Sequence, residues 1–138
     1  MAQLRHAHDR FRAASVRVVA VGLGTPTRTR EFRASMRLPF PVLCDPRRRV
    51  YRQYGLMRMQ PGDSRAPGTM ARLAIATARH GGALSRDQDM LQLGGVFIVD
   101  TAGILRYAHR ARAQHDNPSP DSLLRVAAPL TRPDAQQT

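Results

Sequence analysis

A chain of 138 residues, 42% of them hydrophobic, has the length and apolar content for one domain around a single core, which sets it apart from disordered polypeptides. No apolar run approaches the roughly 20 residues of a membrane span, and a single cysteine excludes an internal disulfide framework and fits a reducing compartment, so a cytoplasmic protein with no membrane partner is expected. The formal net charge is +12, and all 22 basic residues are arginine.

That charge invites a polyanionic partner. The arginines, however, are spread from Arg5 to Arg132, with one tight cluster at Arg47–Arg49, and aromatics make up 5% of the chain with no tryptophan. Nucleic-acid readers add stacking aromatics or a recognisable reading module. A solvated arginine surface is therefore the stronger reading, and a small basic nucleic-acid-binding module the weaker alternative.

The first element is a helix over residues 2–14, where Leu4, Ala7, Phe11 and Ala14 recur at helical spacing between charges. Its apolar stripe is already running at Leu4, with no capping residue ahead of it. "VRVVAVGLG", residues 16–24, is a near-continuous β-branched run that suits a buried parallel strand. Thr25-Pro26 supplies a cap and a first-turn proline for a second helix, with Phe32 and Met36 expected on its inner face. "PFPVLC" makes a second short strand. Asp45-Pro46 opens a helix through "RRRVYRQYG", with Val50 and Tyr54 inward and Gly55 as its stop.

Between residues 57 and 93 the pattern weakens. "PGDSRAPG" has loop chemistry, "TMARLAIATARHGG" suits a helix ended by glycines, and Met57, Met59, Met70 and Met90 are expected to pack beneath these loops. "GGVFIVD", "TAG" and "ILRYAHR" then spell strand, tight turn and strand, an antiparallel hairpin. "DNPSPDSLLRVAAPL" starts a last helix near Ser119, with Leu123, Leu124 and Ala127 inward. Alternating elements of this kind define an α/β layered sheet with an antiparallel pair at one side.

Four stretches in this order, "VVAVGLGTPTRTREF", "LPFPVLCDPRRRVYRQYGL", "DMLQLGGVFIVDTAGILRYAHR" and "DNPSPDSLL", resemble the alkyl hydroperoxide reductase/thiol-specific antioxidant family, in its peroxiredoxin-like branch. The resemblance implies a thioredoxin-like sheet flanked by helices and a thiol-dependent reduction of peroxides or disulfides, with a thiol reductant and a peroxide as partners and no cofactor. Relatives place a strand and then a redox cysteine ahead of the first helix, where the helix dipole lowers the thiol's pKa. No residue here matches that cysteine, so no catalytic residue is assigned. The expectation is a single domain over residues 1–138, N-terminally incomplete and lacking the central strand, with residues 129–138 as a flexible tail. It is either a mis-started fragment or a degenerate member kept for binding. In-frame upstream codons for an apolar strand and one or two cysteines would mark the fragment.

The missing strand has a structural consequence. Four strands are expected, 16–22 beside 41–44 and 95–100 beside 104–109, with a gap between the pairs. The open edges invite a homodimer, or a partner strand that completes the sheet. Gly24, Thr25, Gly94 and Gly95 are the candidate rim of a pocket. By the resemblance, Gly95 stands near the place where thioredoxins put a proline beside the reactive sulfur; glycine there either lets a substrate backbone approach or simply makes a bend. "GLGTP" lacks the remaining residues of either phosphate-loop fingerprint, so Gly22 and Gly24 read as a strand-to-helix turn.

Cys44 ends an apolar strand, and free cysteine is among the most buried residue types. It is read as a structural thiol: burial disfavours the thiolate, and an Asp45 cap would repel it. His6, His8, His80, His109 and His115 form no metal-ligand pattern, so no metal is expected.

Overall fold

The computed structural model describes residues 1–59 and 91–131. The predicted first helix is present as two consecutive pieces, α1 (Ala2–His6) and α2 (His8–Ala13). Ala7 loosens the backbone between them, at φ −91° and ψ 2°. The helical bonds Ala7 N–H to Gln3 O (3.0 Å) and Phe11 N–H to Ala7 O (3.2 Å) still span the joint. The apolar stripe therefore continues, burying Ala7 and Phe11. Ser15, at φ 57°, turns the chain out of α2.

Only part of the predicted first strand enters a ladder. β1 is Ala20–Gly22, and it pairs in parallel with β2 (Val42–Cys44) in the register Ala20–Val42, Val21–Leu43 and Gly22–Cys44. Val16 and Val18 lie before β1 and pack into the core without a strand partner. Between the two strands runs α3 (Pro26–Ser35), with Pro26 in its first turn as expected, although the Thr25 side chain makes no capping hydrogen bond. The inner face of α3 runs through buried Thr29 and half-buried Met36, seven residues apart and so almost in line. Phe32 falls off that line and is 39% exposed, which corrects its expected inward position.

Cys44 also departs from expectation: it is exposed, not buried. The cluster under β2 consists of Ala20, Leu38 and Phe40, with Val18, Met36 and Val42 packed on it. It ends at Val42, and Cys44 lies two residues farther along the strand, past the edge of the covered region. Leu43, on the other face, is 54% exposed.

The Asp45 carboxylate organises the next turn. Its Oδ1 accepts from Arg49 N–H at 2.8 Å and its Oδ2 from Tyr51 N–H at 3.1 Å. Arg48 takes a left-handed conformation (φ 54°), so α4 spans Arg49–Gln53, three residues later than Pro46 would start it. Gly55 ends it at φ +67°, a backbone state that favours glycine. The chain then makes one antiparallel bridge, Arg58 with Gln92. Met59 N–H donates to Leu91 O (2.7 Å) and Leu93 N–H to Met57 O (3.0 Å), so both ends of the segment 60–90 are clamped together. The predicted loop and helix within that segment, with Met70, Met90 and His80, lie outside the described residues.

The hairpin forms as predicted. β3 (Gly95–Val99) pairs antiparallel with β4 (Leu105–Arg110), with a bulge between Ile98 and Val99. Asp100 Oδ1 closes the turn by accepting from Ala102 and Ile104 N–H, and Oδ2 accepts from Arg106. α5 (Pro120–Ala127) is capped by the Ser119 hydroxyl, which accepts from Ser122 N–H, and it buries Leu123 and Ala127. A short 3-10 turn, Ala128–Leu130, occupies the start of the predicted tail.

Among the described residues the strands form two separate two-stranded sheets, the expected arrangement of pairs with a gap. Helices hold them together. Phe11 and Ala7 of the first helix and Leu123 of α5 form a core against Val96, Ile98 and Tyr107 of the hairpin, and Leu4 and Val18 belong to both this cluster and the one beneath β1 and β2.

Candidate functional site: the cleft between the strand pairs

The gap is a cavity of about 830 Å³. One wall is the strand segment Val18–Val21 and the other is β3 with Gly94; the start of α1 and α5 contribute on one side, and Val50, Tyr51, Tyr54 and Leu56 on the other. Its lining is mainly apolar, because these are the faces that a continuous sheet would bury between helices. Val19, Val50 and Val99 line it and remain 46%, 36% and 47% exposed.

The backbone of the cavity walls directs peptide groups into the cleft. Ala20 N–H donates to Pro41 O (3.0 Å), and Gly22 O accepts from Asp45 N–H (2.7 Å), so these residues direct their peptide groups at β2 and its flanks. Alternation then turns the peptide groups of Val19 and Val21 toward the cleft. On the hairpin, Gly94 O accepts from Ala111 N–H (3.0 Å). The register from that pair makes Val96 and Ile98 the residues bonded to β4, and it turns Gly95 and Phe97 outward to the same cleft. Two ladder edges face one cavity.

Tyr51 partly occupies the first edge. Its hydroxyl donates to Val21 O at 2.9 Å. Burial, and secondarily the nearby Asp45 carboxylate, raises the phenol pKa above its ordinary value. Tyr51 is thus held as a neutral donor at the cleft wall, placed there by a helix that Asp45 anchors. On the opposite wall, the Phe97 ring meets Tyr54 edge-on at 4.5 Å, and the Arg110 guanidinium sits 5.6 Å from its centroid.

Of the predicted rim residues, Gly94 and Gly95 line the cavity, whereas Gly24 and Thr25 lie away from it at the start of α3. The requirement for glycine at 95 is one of packing. A β-carbon there would come within 2.6 Å of both His109 O and Leu56 Cδ2. Cys44 is not among the lining residues. The sequence signals did not single out Tyr51 or Asp45 as a pair at this wall; the Asp-Pro turn followed by aromatics was the available clue. His109 and Asp116 do come together, with the imidazole Nε2 3.0 Å from Asp116 O and 3.3 Å from its carboxylate, but they sit apart from the cleft. Among the described residues no three His, Cys, Asp or Glu side chains gather as a metal site, and no helix is long and apolar enough to cross a membrane.

The sequence over residues 3–113 matches the family model for AhpC/TSA antioxidant enzymes. The chain belongs to that family. No curated protein matches it. The AhpC/TSA fold is thioredoxin-like, and the helix-flanked strands described above have that α/β character. In this AhpC/TSA chain the cleft has apolar walls and facing strand edges, and the sole thiol lies outside it.

Proposed function

We propose that this chain carries the antioxidant-family scaffold for thiol-dependent reduction of peroxides or disulfides, and that as encoded it does not turn over with its own sulfur. In such chemistry a thiolate attacks the peroxide, the O–O bond breaks, and the sulfur becomes a sulfenic acid that a second thiol reduces. The thiolate needs a cationic or helix-terminal setting within a site that binds the peroxide. The single observation behind this reading is the location of Cys44: it is exposed at the end of an outer strand and absent from the cleft lining. A single cysteine in 138 residues also fits a reducing compartment, and we place the protein in the cytoplasm on that ground.

The test is peroxide consumption by the 138-residue chain with dithiothreitol as reductant. The expected rate is that of an accessible bystander thiol, unchanged in kind when an unrelated single-cysteine protein replaces it. Turnover well above that level, lost on Cys44→Ser, would overturn the reading and make the thiol catalytic.

A further inference from the structure

We propose that the turn from β1 into α3 is a binding site for a phosphate group, with the Thr29 hydroxyl and the first-turn N–H of Thr27 as donors. This goes beyond the redox reading and does not depend on it, and the turn lies apart from the cleft. An unused hydroxyl carries the argument. Thr29 is 7% exposed, and its Oγ1 makes no hydrogen bond among the described residues. A helical hydroxyl can bond back to a carbonyl of the preceding turn, as Ser35 does to Phe32 O at 3.0 Å. Thr29 instead faces the turn: a β-carbon at Gly24 would stand 3.2 Å from its Oγ1. A buried hydroxyl without a partner costs stability, so this orientation calls for an acceptor arriving from outside.

The backbone supplies the rest of the site. α3 runs for 10 residues from Pro26, and the side chain of Thr25 does not cap it. The Thr27 N–H has no acceptor within the helix, and the aligned peptide dipoles place partial positive charge at this end. A strand, a glycine-containing turn and a helix N-terminus form an arrangement that receives phosphate oxygens in other folds. Charge agrees with this. Residues 22–30 hold Arg28 and Arg30 and no carboxylate, and Glu31 follows one turn beyond Thr27. The turn after β2 is fastened to Gly22 O by Asp45 N–H at 2.7 Å and brings Arg47 with it. Its one carboxylate, Asp45, is buried and bound to the N–H groups of Arg49 and Tyr51. Phosphate, with several acceptor oxygens and up to about two negative charges, matches donors approaching from different directions better than a flat carboxylate does.

The probe is inorganic phosphate, titrated into the intact isotope-labelled chain at constant ionic strength and followed by amide chemical shifts. Saturable shifts are expected at Gly24, Thr25 and Thr27. Thr29→Val keeps the buried shape and removes only the hydroxyl, and it should weaken binding about tenfold. Gly24→Ala sets a methyl group against Oγ1 and should weaken binding as well. Melting curves establish that both variants fold, and Thr29→Val should melt no lower than the parent, because it removes a polar group that has no partner. Phenyl phosphate, titrated in parallel, identifies the source: binding at least as tight as that of the free ion points to an organic monoester, and weaker binding to free phosphate. Acetate at the same ionic strength should bind at least tenfold more weakly than phosphate. No saturable shift at these amides, unchanged affinity in either variant, or equal binding of acetate would each overturn the proposal; the last two would leave only general attraction to the arginine surface.

Discussion

Replacing Asp45 tests how the wall of the cleft is built. The side chain is buried, at 6% exposure, and its two oxygens accept from Arg49 N–H at 2.8 Å and Tyr51 N–H at 3.1 Å. Its main-chain oxygen also accepts from Arg48 N–H at 2.9 Å, a bond that substitution leaves in place. Hydrogen bonds to a charged group contribute about 1.5–3 kcal/mol each, and loss of a helix cap costs about 0.5–2 kcal/mol. Because the two donors belong to the same short helix, their losses overlap, and Asp45→Ala should cost about 3 kcal/mol. For a domain of this size that is a fall in melting temperature of roughly 10 °C. Asp45→Asn keeps one acceptor oxygen and should cost about half as much. Urea denaturation at unchanged m-value gives the stability, and amide exchange at Arg49 and Tyr51 shows whether those two N–H groups are the ones released. A loss below about 0.5 kcal/mol for alanine, or equal losses for alanine and asparagine, would refute the account of Asp45 as the anchor of α4.

Gly95→Ala should destabilise by about 1–3 kcal/mol, since the new carbon overlaps His109 O and Leu56 Cδ2, while Gly94→Ala, with nothing near it, should be close to neutral; parallel urea melts separate them. Cys44 should react stoichiometrically with a small alkylating reagent without denaturant, and Cys44→Ser should leave the melting temperature within a degree or two of the parent, as expected for an exposed side chain; a thiol that reacts only on unfolding would contradict its exposed placement. Asp100 has its pKa lowered first by the Ile104 N–H and next by Arg106, so its contribution is present above the unfolded carboxylate pKa near 4 and is lost as pH falls through the lower folded value. Melting temperatures measured between pH 2 and pH 5 should therefore fall less steeply for Asp100→Asn than for the parent, and parallel slopes would contradict the role of the turn carboxylate.

Elements whose signals are local were legible in the sequence. The hairpin follows from alternation around a Gly-containing turn, and Asp100 closes that turn within five residues. The last helix follows from Ser119, Pro120 and the apolar spacing of Leu123 and Ala127. The order of strands and helices, together with family-like stretches, was enough to anticipate the AhpC/TSA assignment and the gap between strand pairs. Burial and proximity were not legible there, because they depend on packing between distant segments. Cys44 reads as core because it ends an apolar run, yet burial depends on what covers a strand, and the cluster beneath β2 stops at Val42. The run 16–24 reads as one strand, yet a ladder needs a partner, and only Ala20–Gly22 finds one. Gly24 and Gly95 are both glycines in turn-like settings, and only the fold places the second at the cleft and packs a carbonyl where its side chain would be. Tyr51 meets Val21, thirty residues away in sequence, through a bond that no local pattern encodes. Local propensity acts over a few residues, whereas the cleft lies between two sheets that only long-range packing against the helices brings together.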